Sequence, residues 1–439
     1  MDAPAQSERG VVVLVGRDTS RRAGLGGLAL ATLVGSLCAG CSLDPGPPYR
    51  ARVLTLEQFD RATERGVVAL ADRDLPHLSD LDALRGPEIV VYRGGAMTVR
   101  TYAGSVVYQG QFDHGAKAEP RYAIERGVVV PLDYPSLIML SVHHDFGRIL
   151  DALLVATGVS VAELLGAARI EAFFEPVIRV ASETADVTVS LRLNAFNLLG
   201  TRQFGLAERS PLEQAPLAAN RAVLAHELGH ALFTYLFAGS ETLECAALGA
   251  GRSVGQWLSE YTVAGFNEGF ADFLAFTVTG VTNVLFDLPR IDAGERSLTR
   301  ATFGWSGLAD DCQGGLYCVG SLLARSLYEA LLELGYDPDD ADSRGAFARG
   351  VFTALAHTRA GLARLGADVL PPPSWTVSAC AIDDALHPVD DGRIAGAFLG
   401  ILAEAMPPEQ RAAVCRAFVR NFGEEGFPVV ARGVCGDVP

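Results

Sequence analysis

Two hydrophobic periodicities divide the chain. From Pro87 to about Val130, apolar and polar residues alternate in "EIVVYRGG", "MTVRTYAG", "SVVYQGQF" and "GVVVPLDY", with glycine-bearing turns between them. Period-two alternation in short runs predicts strands. "VIRVASETADVTVSLRLNAF" (177–196) returns to the same pattern. Between these blocks, "SLIMLSVHHDFGRILDALLVATGVSVAELL" carries helical spacing from Ser136 to Leu165, broken near Gly158. Residues 55–85, rich in Leu, Ala and Arg, read as mostly helix, and almost everything beyond Pro211 does too. No internal repeat is visible. Strands mixed with helices, followed by a mainly helical half, predict an α+β fold. The boundaries are a helix- and strand-rich region at 55–130 and a larger region at 131–439 whose last part, 316–439, is helical.

The N-terminus departs from both patterns. In "TSRRAGLGGLALATLVGSLCAGC", Arg21 and Arg22 precede an apolar run that ends in small residues at Cys41. This is the layout of an export signal. "LCAGC" resembles a bacterial lipobox, with Cys38 rather than leucine three residues before the cysteine that would carry lipid. Residues 1–40 then read as a lipoprotein signal peptide, and the Pro- and Gly-rich 41–54 as a tether. The expectation is an exported chain held on a membrane of the cell envelope through Cys41. Ser42, not Asp, follows it, which favours the outer membrane in a cell with two.

Composition excludes some functions. The 439 residues are 49% hydrophobic and 20% charged, with a formal net charge of −16 and no basic run. Nucleic-acid binding, which rests on neutralising phosphates, is not expected. Six cysteines remain once Cys38 and Cys41 are assigned to the signal: Cys245, Cys312, Cys318, Cys380, Cys415 and Cys435. An even number in an exported protein predicts disulfides. Cys312 with Cys318 is the easiest local pair, and the connectivity is otherwise open. No pair among these six has CxxC spacing.

Chemistry concentrates at "AHELGH". A helix over 216–238, with Pro216 near its start and Gly239 after its end, puts His226 and His230 one turn apart on the same face. That separation suits two imidazoles on one tetrahedral zinc ion, and Glu227 beside them suits a general base for water. With 8 histidines in 439 residues, the HExxH spacing arises by chance in about one such chain in a hundred. The flanking Leu224, Ala225, Leu228, Ala231, Leu232 and Phe233 make this helix apolar nearly all round, where solvated histidines do not belong. A second helix, 266–279, carries Glu268 and Asp272 four residues apart among phenylalanines. Glu268 can complete a His₂Glu ligand set, and Asp272 can accept a hydrogen bond from the free nitrogen of a ligand histidine.

HELGH followed by NEGFAD resembles the gluzincin zinc metallopeptidases, the thermolysin and fungalysin group in particular. The resemblance implies a two-lobed fold with a strand-rich N-terminal lobe, a helical C-terminal lobe and the zinc helix at the cleft. It implies Zn²⁺ on His226, His230 and Glu268, Asp272 orienting His226, and Glu227 as the base. "LNAFN" resembles the family's substrate-binding edge strand, which implies that Asn194 and Ala195 hold peptide backbone; "FG" at Phe204 and Gly205 also fits. "DCQGGLYC" resembles the segment that carries an oxyanion-stabilising histidine. Here Tyr317 stands in that place, with Asp311 before it, and Tyr261 is a second candidate donor.

The function expected from sequence is therefore hydrolysis of peptide bonds in peptides or proteins by a zinc metallopeptidase. The alternative is an envelope lipoprotein that keeps the fold for binding or structure alone. His143, His144 and Asp145 in "VHHDFG" read as packing or surface. Asp337, Asp339, Asp340 and Asp342 form a loop that could take calcium but reads better as a helix cap. His357 belongs on a polar helix face.

Overall fold

The computed structural model describes residues 46–364, 391–427 and 435, apart from 103–104, 110–111, 114, 166–168, 182–185, 191–193, 199–200, 208–216, 218–219, 239–258, 287–295, 300–302 and 306–315. Residues 1–40, expected as a signal peptide, and Cys41 lie outside the described residues. Among these, no helix is long and apolar enough to cross a membrane.

Residues 55–85 are not helical. Tyr49–Asp60 (β1) and Arg65–Leu75 (β2) form a long antiparallel hairpin. The helix-forming composition of this stretch is overridden by a period-two core face: Tyr49, Ala51, Val53 and Thr55 are buried in alternation. Arg52 pairs with Asp72 across the strands at 2.9 Å. Residues 49–54, expected as part of a tether, belong to the sheet as β1. Tyr122–Glu125 (β7) and Val128–Pro131 (β8) complete it in the order β2-β1-β8-β7.

The expected strands between Pro87 and Val130 are present. Ile89–Arg93 (β3), Ala96–Tyr102 (β4), Ser105–Gln109 (β5) and the short Ala116–Lys117 (β6) precede β7 and β8. Tyr134–Thr157 is α1. The Asp133 side chain accepts from the backbone N–H of Ser136, and Gly158 ends the helix at φ 72°. A short turn of helix, Val161–Leu164 (α2), leads to Ile170–Phe174 (β9), Val177–Ala181 (β10), Asp186–Ser190 (β11), Asn194–Asn197 (β12) and Gln203–Ala207 (β13). Two further sheets result, β11-β10-β4-β5 and β12-β13-β9-β3-β6. In the second, β3, β9 and β13 run parallel, and β12 pairs antiparallel at its edge.

The rest is helical: Arg221–Phe233 (α3), Ser259–Thr279 (α4), Leu316–Glu333 (α5), Ala341–Arg364 (α6), Asp391–Ala405 (α7) and Pro408–Gly426 (α8). The zinc helix expected at 216–238 is α3, which starts only at Arg221 because Asn220 caps it by accepting from the Ala222 N–H. Its last turn widens into a π-helix, Thr234–Ala238. The second helix, expected at 266–279, starts seven residues earlier than the apolar run suggests. Phe266, Phe270, Phe273 and Phe276 of α4 are all fully buried and pack against Phe398, Phe352, Phe347 and Tyr328 of the surrounding helices. α4 is the hub of the helical half. Cys415 is bonded to Cys435, with Cα atoms 5.8 Å apart. Cys318 is also disulfide-bonded, to a residue outside the described ones.

The aspartate loop caps a helix. Asp340 Oδ2 accepts from Ser343 N–H at 2.8 Å at the start of α6, and Asp339 pairs with Arg61 at 2.9 Å. His357 is exposed on α6, its Nδ1 2.7 Å from Thr353 O. His143 and His144 are buried in α1 and not at the surface.

Candidate metal centre

Two helices make the site, and small residues let them meet. A Cβ on Gly229 would come within 2.5 Å of Ala271 Cα, so α3 and α4 touch backbone to backbone at this point. On the other side of α4, a Cβ on Gly269 would meet Gly320 O of α5 at 2.2 Å. The HELGH glycine and the small residues of NEGFAD therefore set the interhelical distance that the ligands need.

His226 and His230 lie one turn apart, their Nε2 atoms 3.0 Å from each other. Glu268 of α4 reaches the same point. Its Oε2 is 3.3 Å from His226 Nε2, and its Oε1 is 3.7 Å from His230 Nε2. One ligating atom from each of the three residues lies within 4.8 Å of the others. The far nitrogens are engaged: His226 Nδ1 lies 2.9 Å from Asp272 Oδ1, and His230 Nδ1 lies 3.1 Å from Asn267 Oδ1. An acceptor at each Nδ1 fixes the tautomer that turns both Nε2 lone pairs inward.

The donor set fits a cation. Glu268 Oε2 is buried between His226 Nε2 at 3.3 Å and Arg296 Nη2 at 3.2 Å. Two imidazole nitrogens and a carboxylate oxygen converge on one small space, a donor set that a single cation would satisfy. Two nitrogens and one oxygen at one point suit zinc.

Glu227 is buried beside the cluster, and its Oε2 accepts from the Asn197 N–H of β12 at 2.8 Å. Burial raises its carboxyl to about 7, although His226 and that hydrogen bond oppose the rise. Burial lowers His230 to about 4. Burial also opposes charge on His226, but its hydrogen bonds to Asp272 and Glu268 outweigh this and hold it up at about 9. Glu268 and Asp272 resist burial and stay well below the usual carboxylate range, Glu268 through the histidines and Arg296, Asp272 through Arg296 and His226.

Arg296 is the residue that sequence reading missed. It is buried, donates from Nε and Nη2 to Asp272 at 2.9 and 2.6 Å, and places Nη2 3.2 Å from Glu268 Oε2. It comes from an irregular turn in a polar stretch with no motif. The only available signal was indirect: two acids on a buried helix face call for a countercharge, but not for one particular arginine.

Tyr317, in the first turn of α5, is half-exposed at the edge of the site. The Arg296 guanidinium sits 4.7 Å from its ring centre. Partial burial and Glu268 raise its phenol, against Arg296. Asn194 and Ala195 are in β12, whose partner on one side is β13 and whose other side is, among the described residues, the sheet edge. Tyr261 lies in the first turn of α4, but its side chain is outside the described residues, as is all of Asp311.

No protein-family model matches the chain. No curated protein matches it either. Among solved structures it is similar to the precursor of protealysin, a metalloproteinase from Serratia proteamaculans, at 12% identity and a TM-score of 0.39 over 75% of this chain and 87% of that one. The likeness is distant, and the reading below rests on the geometry of the site.

Proposed function

We propose that this chain is a zinc-dependent metallopeptidase that cleaves peptide bonds with Glu227 as general base. The observation that carries the proposal is the convergence of His226 Nε2, His230 Nε2 and Glu268 on one point, with both Nδ1 atoms held from behind and a buried carboxylate alongside. Zinc, when bound there, would polarise a carbonyl and make water acidic near neutral pH.

The other steps belong to the side chains. Glu227, held by the Asn197 N–H, takes a proton from the attacking water and passes it to the leaving amine. A buried carboxylate held at a fixed place beside the ligands suits both transfers. Tyr317 donates its phenolic proton in a hydrogen bond to the developing oxyanion. An extended substrate adds to the sheet along the free side of β12, through the backbone of Asn194 and Ala195. Because Glu227 is tied to the same strand, the base and the bound backbone keep a fixed relation.

The decisive experiment measures zinc by elemental mass spectrometry and peptide cleavage, in wild type and in Glu227→Gln. One zinc per chain in both, with cleavage only in wild type, is the expected result. Zinc without cleavage of any peptide in wild type would turn the reading to a binding or structural protein of the envelope. No zinc in either would end the metal reading. The lipobox-like "LCAGC" supports anchoring through Cys41, and metabolic labelling with a fatty acid tests it: label is expected on wild type and not on Cys41→Ser.

A further inference from the structure

The hairpin turn between β1 and β2 reaches parts of the chain more than two hundred residues away. Glu64, at φ 51° in that turn, is buried. Its Oε2 accepts from Asn283 Nδ2 at 2.9 Å, and its Oε1 accepts from Thr299 Oγ1 at 2.9 Å and from Ser297 Oγ. A carboxylate receiving three donors is held firmly and holds them in turn. The turn around it is fixed as well. Arg61 donates to Gly280 O at 3.2 Å and to Pro338 O. The Phe59 ring meets Phe286 edge-on at 5.2 Å, and a Cβ on Gly66 would stand 2.1 Å from the Phe286 ring.

Ser297 directly follows Arg296. The segment 296–299 is neither helix nor strand, so no regular ladder orients it. Its ties include the two hydroxyls on Glu64, the Leu298 N–H to Thr282 O at 2.9 Å, and the Thr299 N–H to Ser297 Oγ at 3.2 Å. A long arginine side chain orients two carboxylates only when its own backbone is fixed.

We infer that Glu64 is a positioning residue for the metal centre: it fixes Ser297 and Thr299, and so sets Arg296 against Asp272 and Glu268. The inference rests on the zinc reading above. Loss of Glu64 leaves the charge of Arg296 in place and removes only its orientation. The effect should therefore appear as weaker zinc binding, and not as the gain that removing a nearby cation would give.

The test uses the whole chain with Glu64→Ala, Glu64→Gln, Arg296→Met and the double variant Glu64→Ala with Arg296→Met. Zinc affinity is measured by competition with a chromophoric chelator, and backbone amide exchange over 296–299 by mass spectrometry. Glu64→Ala should bind zinc about tenfold more weakly, the cost of losing a partner that orients ligands. Glu64→Gln should recover part of this, since its amide oxygen still accepts from the hydroxyls. In the Arg296→Met background, Glu64→Ala should cost no further affinity. Exchange at Leu298 and Thr299 should quicken in Glu64→Ala. Equal losses in both backgrounds would mean general softening and overturn the inference, as would unchanged affinity and exchange. If Glu64→Ala does not fold, Ser297→Ala, which removes one donor only, carries the same comparison. A folded wild type that takes up no zinc would end the metal reading. Exchange would then decide the anchoring, with quicker exchange supporting it and unchanged exchange overturning it.

Discussion

The backbone N–H of Asn197 donates to Glu227 Oε2 at 2.8 Å, which ties the carboxylate of the HELGH helix to the edge strand β12. One side chain thus links the helix of the candidate metal centre to the edge where a peptide would lie. Glu227→Gln keeps the shape and loses the basicity. It should lower the rate of peptide cleavage by about 10²–10⁴-fold with zinc content unchanged, measured on the same preparation. Retained cleavage would remove Glu227 from the proton transfers.

Tyr317→Phe separates the hydroxyl from the ring. The ring still stacks under Arg296, so the fold and the zinc should be unaffected. The proposed oxyanion donor is gone, and kcat should fall by about 10²-fold with little change in KM. Steady-state kinetics on one peptide substrate check this, and an unchanged kcat would send the search to another donor.

Gly229→Ala tests the contact between α3 and α4. The added methyl would sit 2.5 Å from Ala271 Cα, and neither partner is a flexible side chain that can swing away. Destabilisation of about 1–3 kcal/mol is expected, read as a lower denaturation midpoint. Ala271→Gly in the same chain should restore part of it, because the Ala271 methyl is the next nearest atom at 2.9 Å.

Acid should weaken the fold through His143. Its ring is buried in α1, neither nitrogen has a hydrogen-bond partner among the described residues, and burial lowers it to about 3 from its ordinary 6.5. Above pH 6.5 the ring is neutral whether folded or unfolded, so it adds no pH dependence. Between about 6.5 and 3 the unfolded chain binds a proton that the folded chain refuses. Stability therefore falls with falling pH, by about 1.4 kcal/mol per pH unit for one such group. Denaturation midpoints taken from pH 7 to pH 4 should decline more steeply in wild type than in His143→Leu. Parallel slopes would show that other groups set the acid sensitivity.

The sequence by itself carried the candidate metal-binding constellation. His226, Glu227 and His230 were legible because helical spacing is local, and because three polar groups on an otherwise apolar helix need partners. Glu268 and Asp272 were legible for the same reason on a second helix. The strands from Ile89 to Pro131 and the break at Gly158 followed from short-range periodicity and from the conformational freedom of glycine.

Three things waited for the tertiary structure. The stretch 49–75 has helix-forming residues, but pairing β1 with β2 and burying Tyr49, Ala51, Val53 and Thr55 gave more than local propensity could offer. Asn267 could be named from its motif, but not given its place behind His230 Nδ1. Arg296 and its anchor Glu64 had no pattern at all, because each reaches its partners across a separation that no period encodes. Periodicity records which face of an element is buried; which distant charge comes to lie against that face is decided only when the elements pack.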